Sequence, residues 1–444
     1  MIAALRRHLA DPTLPARLRT LAADVPAATP LSITIDLGPT AADWLAALPA
    51  AGPFWYQARP AAGLYRLGIG HAFQIASAGP QRFAALDNAF AGLARHWRHD
   101  GAPLAFCGFA FDEHNIAPLP NILLAIPAVL LESRAGRSRA ILSTPAGRIA
   151  GAPDLWRQLL ARPAPRPPLR LAPAADPTLA DRAWIARVNA ALRAIAGGEV
   201  DKIVLARHRQ LAGDGLAAAG RVLAALGAQQ PDSLVYAHGT GTAIFLGATP
   251  ERLIRLAGHQ LAADALAGTA WSGSLDLDAP KNRREQSLVV RAILAALAGH
   301  CSLPPQAGPV SVRQAGAIAH LHSRIAGTAA SGVTLFDLVR ALHPTPAVGG
   351  FPGPAALDWL ARHGERRSAW YSGGFGSLAP NGDGEFAVAL RSALLTADGI
   401  ELHAGAGIVA GSDPHQELAE TEAKFGTLLA ALAGHRDDLR SAHA

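Results

Sequence analysis

The sequence predicts an α+β protein built on antiparallel sheets. Three observations carry this. Strand-like runs arrive in clusters, and helical stretches fall between them irregularly, unlike a βαβ series. No solenoid-type period recurs along the 444 residues. Half of the residues are apolar and 17% are charged, ample material for a large core.

The elements follow in order. Met1-Ile-Ala-Ala-Leu-Arg-Arg-His places charges directly after a very short apolar start, so no secretory leader is expected. Leu31 to Asp36 reads as a strand. Phe83, Leu86, Phe90, Leu93 and Trp97 recur at helical spacing. Phe106 to Asp112 reads as a core strand that ends on a turn aspartate. Ile122 to Leu131 is the longest apolar stretch, and it is short and broken by Pro127, so no membrane span is expected. Arg162 to Pro177, RPAPRPPLRLAPAADP, is proline-dense and aperiodic, the composition of a connector. The predicted organisation is residues 1–165 without catalytic motifs, a connector at 166–177, and a catalytic region at 178–437.

Beyond the connector, Asp181 is expected to cap a helix with Trp184, Val188 and Leu192 on its apolar stripe, ending at Gly197-Gly198. Lys202 to Arg207 reads as a strand, and Tyr236 to Leu246 holds more strand. Gly247 to Leu253 reads as a turn, and Ala265 to Ala270 as a second tight turn. Lys281 to His300 is a helix packed through Leu288, Ile293, Leu294 and Leu297, with Glu285 and Gln286 near its start. Gly373 to Gly376, Glu385 to Ala393 and Leu402 to Gly405 read as an antiparallel meander. His415 to Ala433 is the closing helix.

Charge and composition narrow the function classes. The net charge of +6 with a pI near 9.9 is spread too thinly to demand nucleic acid, but it suits a small acidic substrate. No basic run and no aromatic–basic repeat of the strand-binding kind occurs. Neither a P-loop nor a dinucleotide fingerprint is present. Lysine is rare beside arginine, which reads as coding bias. Cys107 and Cys301 have no metal-ligand spacing and suit a reducing cytoplasm.

One motif stands out. Ala404-Gly-Ala-Gly-Ile-Val409 reads as a glycine turn leading into a helix that carries Glu417, Glu420 and Lys424. Residues three and four apart share a helix face, so two carboxylates and a cation point one way. That is a means of holding a divalent ion beside a small carboxylate.

From about Asp181 to His435 the chain resembles the chorismate-utilising enzymes, most of all isochorismate synthases. The resemblance rests on DKIVLAR, LGATPERL, LAGTA, the helix with Glu285, HLHSRI, HPTPAVGGFP, FAVALRSA, AGAGIV and ELAETEAK, in this order. It implies a four-layer α/β/β/α fold with two large, mainly antiparallel sheets and chorismate between them. It implies a Mg²⁺-dependent isomerase in which water attacks C2 and the C4 hydroxyl leaves. Lys202 would be the base that activates water, and Glu251 the acid that protonates the leaving hydroxyl. Glu285, Glu417 and Glu420 would hold Mg²⁺. Arg391, Lys424 and the Gly405 backbone would anchor the substrate, with Gly268 and Thr269 closing on the ring. His320 and His343 lie in matching segments and suit structural as well as catalytic roles. The family usually has His where Gln286 stands, and commonly an aromatic residue where Leu418 stands.

Relatives differ at telling positions. Anthranilate synthases look to have Gln in place of Lys202, and the group that forms a covalent adduct has Lys in place of Ala267. Lysine at 202 with alanine at 267 suits water as the nucleophile. The nearest alternative is a salicylate synthase, which goes on to eliminate pyruvate. A further alternative is a non-catalytic relative that binds anions or nucleic acid. The resemblance also implies a cytoplasmic monomer, in menaquinone or siderophore biosynthesis, with no membrane, nucleic-acid or glutamine amidotransferase partner.

Overall fold

The longest apolar run organises the architecture. In the computed structural model, which describes residues 2–39, 44–49, 51–115, 118–161, 172–173, 177–270, 277–316 and 318–433, it forms the strand Ile122–Arg134. Every residue of that strand except the last is buried. It pairs along its whole length with Leu64–Ser77. Its first half also pairs with Ala105–Phe109 and its second half with Arg137–Pro145. The two long strands are therefore shared by two sheets. Pro127 lies opposite His71, where the register shifts, and a residue without an N–H is suited to a bulge.

The first sheet runs outward through Phe54–Arg59, Leu234–Gly239, Ala243–Thr249, Ser392–Thr396, Gly399–Val409 and Lys202–Ala212. On its other side Arg137–Pro145 pairs with Pro30–Pro39. The second sheet runs through Gly374–Leu378, Gly384–Val388, Arg252–Ala257, Gln260–Ala270 and Ile318–Thr328. These pairs are all antiparallel. The two-residue strand Arg98–His99 alone pairs parallel among the described residues.

Three apolar clusters define the layers. Trp55, Phe106, Tyr236, Phe245, Trp370 and Phe375 fill the space between the sheets. Leu5, Leu18, Leu223 and Phe425 bring helices onto the outer face of the first sheet. Phe83, Trp184, Val289, Leu338 and Trp359 do the same on the other side. The four-layer α/β/β/α arrangement follows. The helices Arg82–His96, Pro280–Ala298 and Pro414–Ala433 fall where the apolar spacing places them. No helix among the described residues is long and apolar enough to cross a membrane.

Several local expectations are corrected. Asp181 lies inside the helix Pro177–Ala196 and does not cap it; its carboxylate pairs with Arg207. Residues 247–249 continue a strand, so the turn shrinks to Pro250-Glu251. Ala265 to Ala270 is not a turn. It lies within the strand Gln260–Ala270, and Gly268, with φ +64°, is a bulge in it. Ala404 to Val409 is not a turn either. It is the end of the strand Gly399–Val409, paired in register with Lys202–Ala212. The run Glu385 to Ala393 breaks at Leu390-Arg391, where the chain passes from the second sheet to the first. The connector lies almost wholly outside the described residues, apart from Ala172–Pro173 beside Leu211 and Ala212 and the start of the helix at 177.

Trp370 is buried between the sheets, stacked on Trp55 at 5.7 Å and on His238 at 5.1 Å, and it donates Nε1–H to the Pro120 carbonyl at 2.8 Å. Trp370→Ala leaves a cavity in that layer and is expected to cost about 3–5 kcal/mol in chemical denaturation. A loss near zero would show that the layer does not hold the sheets together.

Candidate active site

Two chain crossings position the site. Pro250-Glu251 carries the chain from the first sheet to the second, and Leu390-Arg391 carries it back. They run side by side: the Ala248 N–H donates to the Arg391 carbonyl at 3.3 Å, and the Val388 N–H to the Glu251 carbonyl at 3.1 Å. Arg391 makes its crossing at φ +49° and Ser372 lies at φ +60°, backbone conformations that side chains rarely adopt and that collect at functional sites. A polar cavity opens at this seam.

Glu251, Thr269, Glu285, Arg391, Gly405, Glu420 and Lys424 line the cavity. Lys202 and Gly268 both bond to Glu285 in its wall, and Glu417 lies three residues before Glu420 on the same helix. Lys202 is fully buried, and its Nζ donates to Glu285 Oε1 at 2.8 Å. The other oxygen of Glu285 accepts the Gly268 N–H at 3.1 Å. The pair passes close over Gly407: a Cβ there would lie 2.6 Å from Glu285 Oε1 and 2.7 Å from Lys202 Cε. Gly407 is glycine for this close approach, not for a turn.

The carboxyls divide by environment. Burial and the neighbouring Asp264 push the Glu251 carboxyl up to about 8, despite Lys202, Arg313 and Lys424. Its buried Oε1 has no partner. Glu251 is therefore a neutral acid at pH 7 with a proton to give. Burial opposes ionisation of Glu285 too, but Lys202 outweighs it and holds that carboxyl below the ordinary glutamate range. Asp264 is held down at about 2 against its burial by His322 at 3.0 Å and Arg313 at 2.8 Å.

Each cation has its own partners. Arg391 donates to the Ala315 carbonyl at 2.7 Å, to Gln230 at 3.2 Å and to His320 Nε2 at 2.8 Å. As acceptor at Nε2, His320 carries its proton on Nδ1, beside the Gly268 carbonyl at 3.3 Å. Burial, Arg391 and Lys424 keep this imidazole neutral. Lys424 donates to Glu420 and to the Gly405 carbonyl, both at 2.7 Å. That carbonyl is engaged by Lys424, while Gly405 itself lines the cavity. Glu417 is buried, accepts from Lys281 at 2.5 Å, and leaves Oε2 without a partner. Burial and Glu420 push its carboxyl up. His343 stays out of the cavity, donating Nε2–H to the Ser372 carbonyl at 3.0 Å and meeting Phe109 edge-on. Gln286 ties its helix to the second sheet through the Ala265 carbonyl at 3.1 Å, and Leu418 packs into the core.

Sequence reading missed Tyr371, Ser372 and His403 in the cavity wall, and Lys281 beside it. Lysine frequency held a signal: the chain has three lysines among 40 Lys and Arg residues, and all three are here. The three glutamates expected to share a metal do not form a tight ligand cluster. Among the described residues such a cluster forms at His208, Glu401 and His403, where the Glu401 carboxylate accepts from His403 at 2.9 Å and from Gln210 at 2.5 Å.

The profile of the family described as chorismate binding enzyme matches residues 23–433, nearly the whole chain. The chain belongs to that family. It is 37% identical over 262 residues to the salicylate biosynthesis isochorismate synthase of Pseudomonas aeruginosa, covering 57% of this chain and 55% of that one. It is 34% identical over 264 residues to isochorismate synthase MenF of Bacillus subtilis, covering 57% and 56%. The chain thus spans just over half the length of these relatives. The solved structure of MenF, the menaquinone-specific isochorismate synthase from Escherichia coli, superposes with a TM-score of 0.77 at 27% identity, covering 95% of this chain and 99% of that one. Anthranilate synthase component I from Streptococcus pneumoniae shares the fold, with a TM-score of 0.69 at 18% identity.

Two outcomes are expected. An infrared difference between the protein and Glu251→Gln should show a protonated carboxyl at pH 7 that ionises near pH 8, and Asp264→Asn should lower that midpoint. A carboxylate already ionised at pH 6 would contradict the environment described. Gly407→Ala should force Lys202 from Glu285 and cut turnover on the order of 100-fold with the fold retained by circular dichroism. Unchanged turnover would remove the pair from the chemistry.

Proposed function

We propose that the chain is an isochorismate synthase. The observation that carries this reading is a neutral Glu251 in a cavity that also presents Arg391 and Lys424, with Lys202 behind Glu285. Chorismate is a dicarboxylate, and two fixed cations give its carboxylates a place. Lys202 first gives its ammonium proton to Glu285, its partner at 2.8 Å, and as the free amine then takes a proton from water as the water oxygen bonds to C2. The ring double bonds shift, the C4–O bond breaks, and Glu251 gives its proton to the leaving hydroxyl. One water enters and one leaves, so the reaction is an isomerisation and runs both ways. Ala267 lines the cavity with no amine to compete with water.

The carboxylates of Glu285, Glu417 and Glu420 offer the hard oxygen donors that Mg²⁺ takes, and the unpartnered, buried Oε2 of Glu417 fits a cation. When bound there, the ion supplies positive charge against the substrate's carboxylate. Both cysteines are free, in keeping with a cytoplasmic enzyme, and the reading takes the chain as a monomer acting without a glutamine amidotransferase.

Incubation with chorismate and Mg²⁺ followed by chromatography should give isochorismate in equilibrium with chorismate and no pyruvate. Stoichiometric pyruvate with salicylate would overturn the reading in favour of a lyase. Lys202→Ala and Glu251→Gln should each abolish turnover in a folded protein, and chelation should stop the reaction until Mg²⁺ is returned. With Glu251 required in its protonated form, kcat/KM for chorismate should fall as pH rises above about 8.

A further inference from the structure

The three lysines of this chain each meet a different glutamate in one site. Lys202 lies 2.8 Å from Glu285, Lys281 2.5 Å from Glu417, and Lys424 2.7 Å from Glu420. Elsewhere among the described residues arginine makes the Arg/Lys–carboxylate pairs, from exposed Arg137–Asp36 to half-buried Arg66–Glu132 and Arg313–Asp264. A pair that only has to hold structure is thus served by arginine in this protein. Lys202 and Lys424 have roles in the proposed reaction. Lys281 has none.

Its position is specific. Lys281 stands in the first turn of Pro280–Ala298, one turn before Glu285, and reaches across to the helix Pro414–Ala433. Against the burial of its ammonium act Glu417, then Glu420, then Glu285, the three carboxylates expected to hold the metal. Glu417 is 1% exposed and its second oxygen has no partner, so the cluster keeps a buried acceptor that one ammonium does not satisfy. An ammonium is a compact charge on a flexible stem and withdraws without dismantling a planar fork, whereas guanidinium grips a carboxylate through two parallel bonds.

We propose that Lys281 is a resident counter-ion: its ammonium neutralises Glu417 in the metal-free protein and is displaced when a divalent cation binds, so Lys281 sets the affinity of the site for that cation. This rests on the reading that the three glutamates bind a divalent ion. Lys281 is a positioning residue here, since it acts through Glu417 and lies outside the cavity lining.

Calorimetric titration of the full chain with Mg²⁺ alone tests this, without substrate or turnover. Lys281→Met should bind Mg²⁺ on the order of tenfold more tightly than the parent protein, because the competing charge is gone. Lys281→Arg should bind no more tightly than the parent. Melting gives a second readout should Lys281→Met lose stability with Glu417 unpaired: it should melt lower in chelator and gain more from Mg²⁺ than the parent does. Equal Mg²⁺ affinity and equal thermal gain in parent and Lys281→Met would overturn the inference and leave the metal reading intact. Absence of Mg²⁺ binding in every form would overturn the metal reading and the inference with it.

Discussion

The buried pair between Lys202 and Glu285 is the constraint on which the site depends. An ammonium with no exposed surface is costly to bury alone, and removing one partner of such a pair costs about 3–5 kcal/mol. The fold meets this with two further devices. Gly268 bulges so that its N–H reaches the second oxygen of Glu285, and Gly407 lacks the carbon that would part the pair. Gly407 is thus specified by the ion pair and Gly268 by its positive φ and the close approach of Asn282, one in each sheet. The same economy recurs with Lys424 on Glu420 and Lys281 on Glu417. The site is a set of paired opposite charges, with one oxygen of Glu417 left over.

The sheets explain why charge can be assembled so deeply. Strands that pass from one sheet to the other bring Glu251 and Arg391 to the seam, side by side and cross-linked by backbone hydrogen bonds. Neither residue lies on a loose surface loop. The aromatic layer between the sheets keeps this seam in place. Glu251 takes its neutrality from that depth and from Asp264, whose own charge is secured by Arg313 and His322. Acid and arginine thus follow from one architectural fact, the crossing of the chain between two packed sheets, while the strand at Lys202 and the helices Pro280–Ala298 and Pro414–Ala433 bring the lysines and their glutamates to it.

Much of this was legible in the sequence, and the failures have physical causes. Long amphipathic helices were readable because their period is set by burial on one face. Ten candidate site residues were proposed through ordered motifs; seven of them line the cavity, and Lys202 and Gly268 bond to Glu285 in its wall. The segments around Gly268 and Gly407 were misread as turns because glycine marks a close approach as readily as a bend, and the partner that demands the approach is far away in sequence. The break at Arg391 was invisible because an arginine at positive φ has no local signature. Tyr371, Ser372 and His403 carried no motif, and only tertiary packing brings them to the cavity. Lysine scarcity was taken for coding bias. The bias holds for the rest of the chain, and the three exceptions all pair with glutamates in one place.

That distribution makes the central claim directly measurable. Protein grown with ¹³C- and ¹⁵N-labelled lysine gives NMR side-chain signals from three residues, all of them in the site. Titration with chorismate and Mg²⁺ should shift all three, because substrate and cation enter one connected set of Lys–Glu pairs. Saturable binding of chorismate that leaves the Lys202 and Lys281 signals unmoved would show that the pairs are separate structural bridges, and would contradict the account.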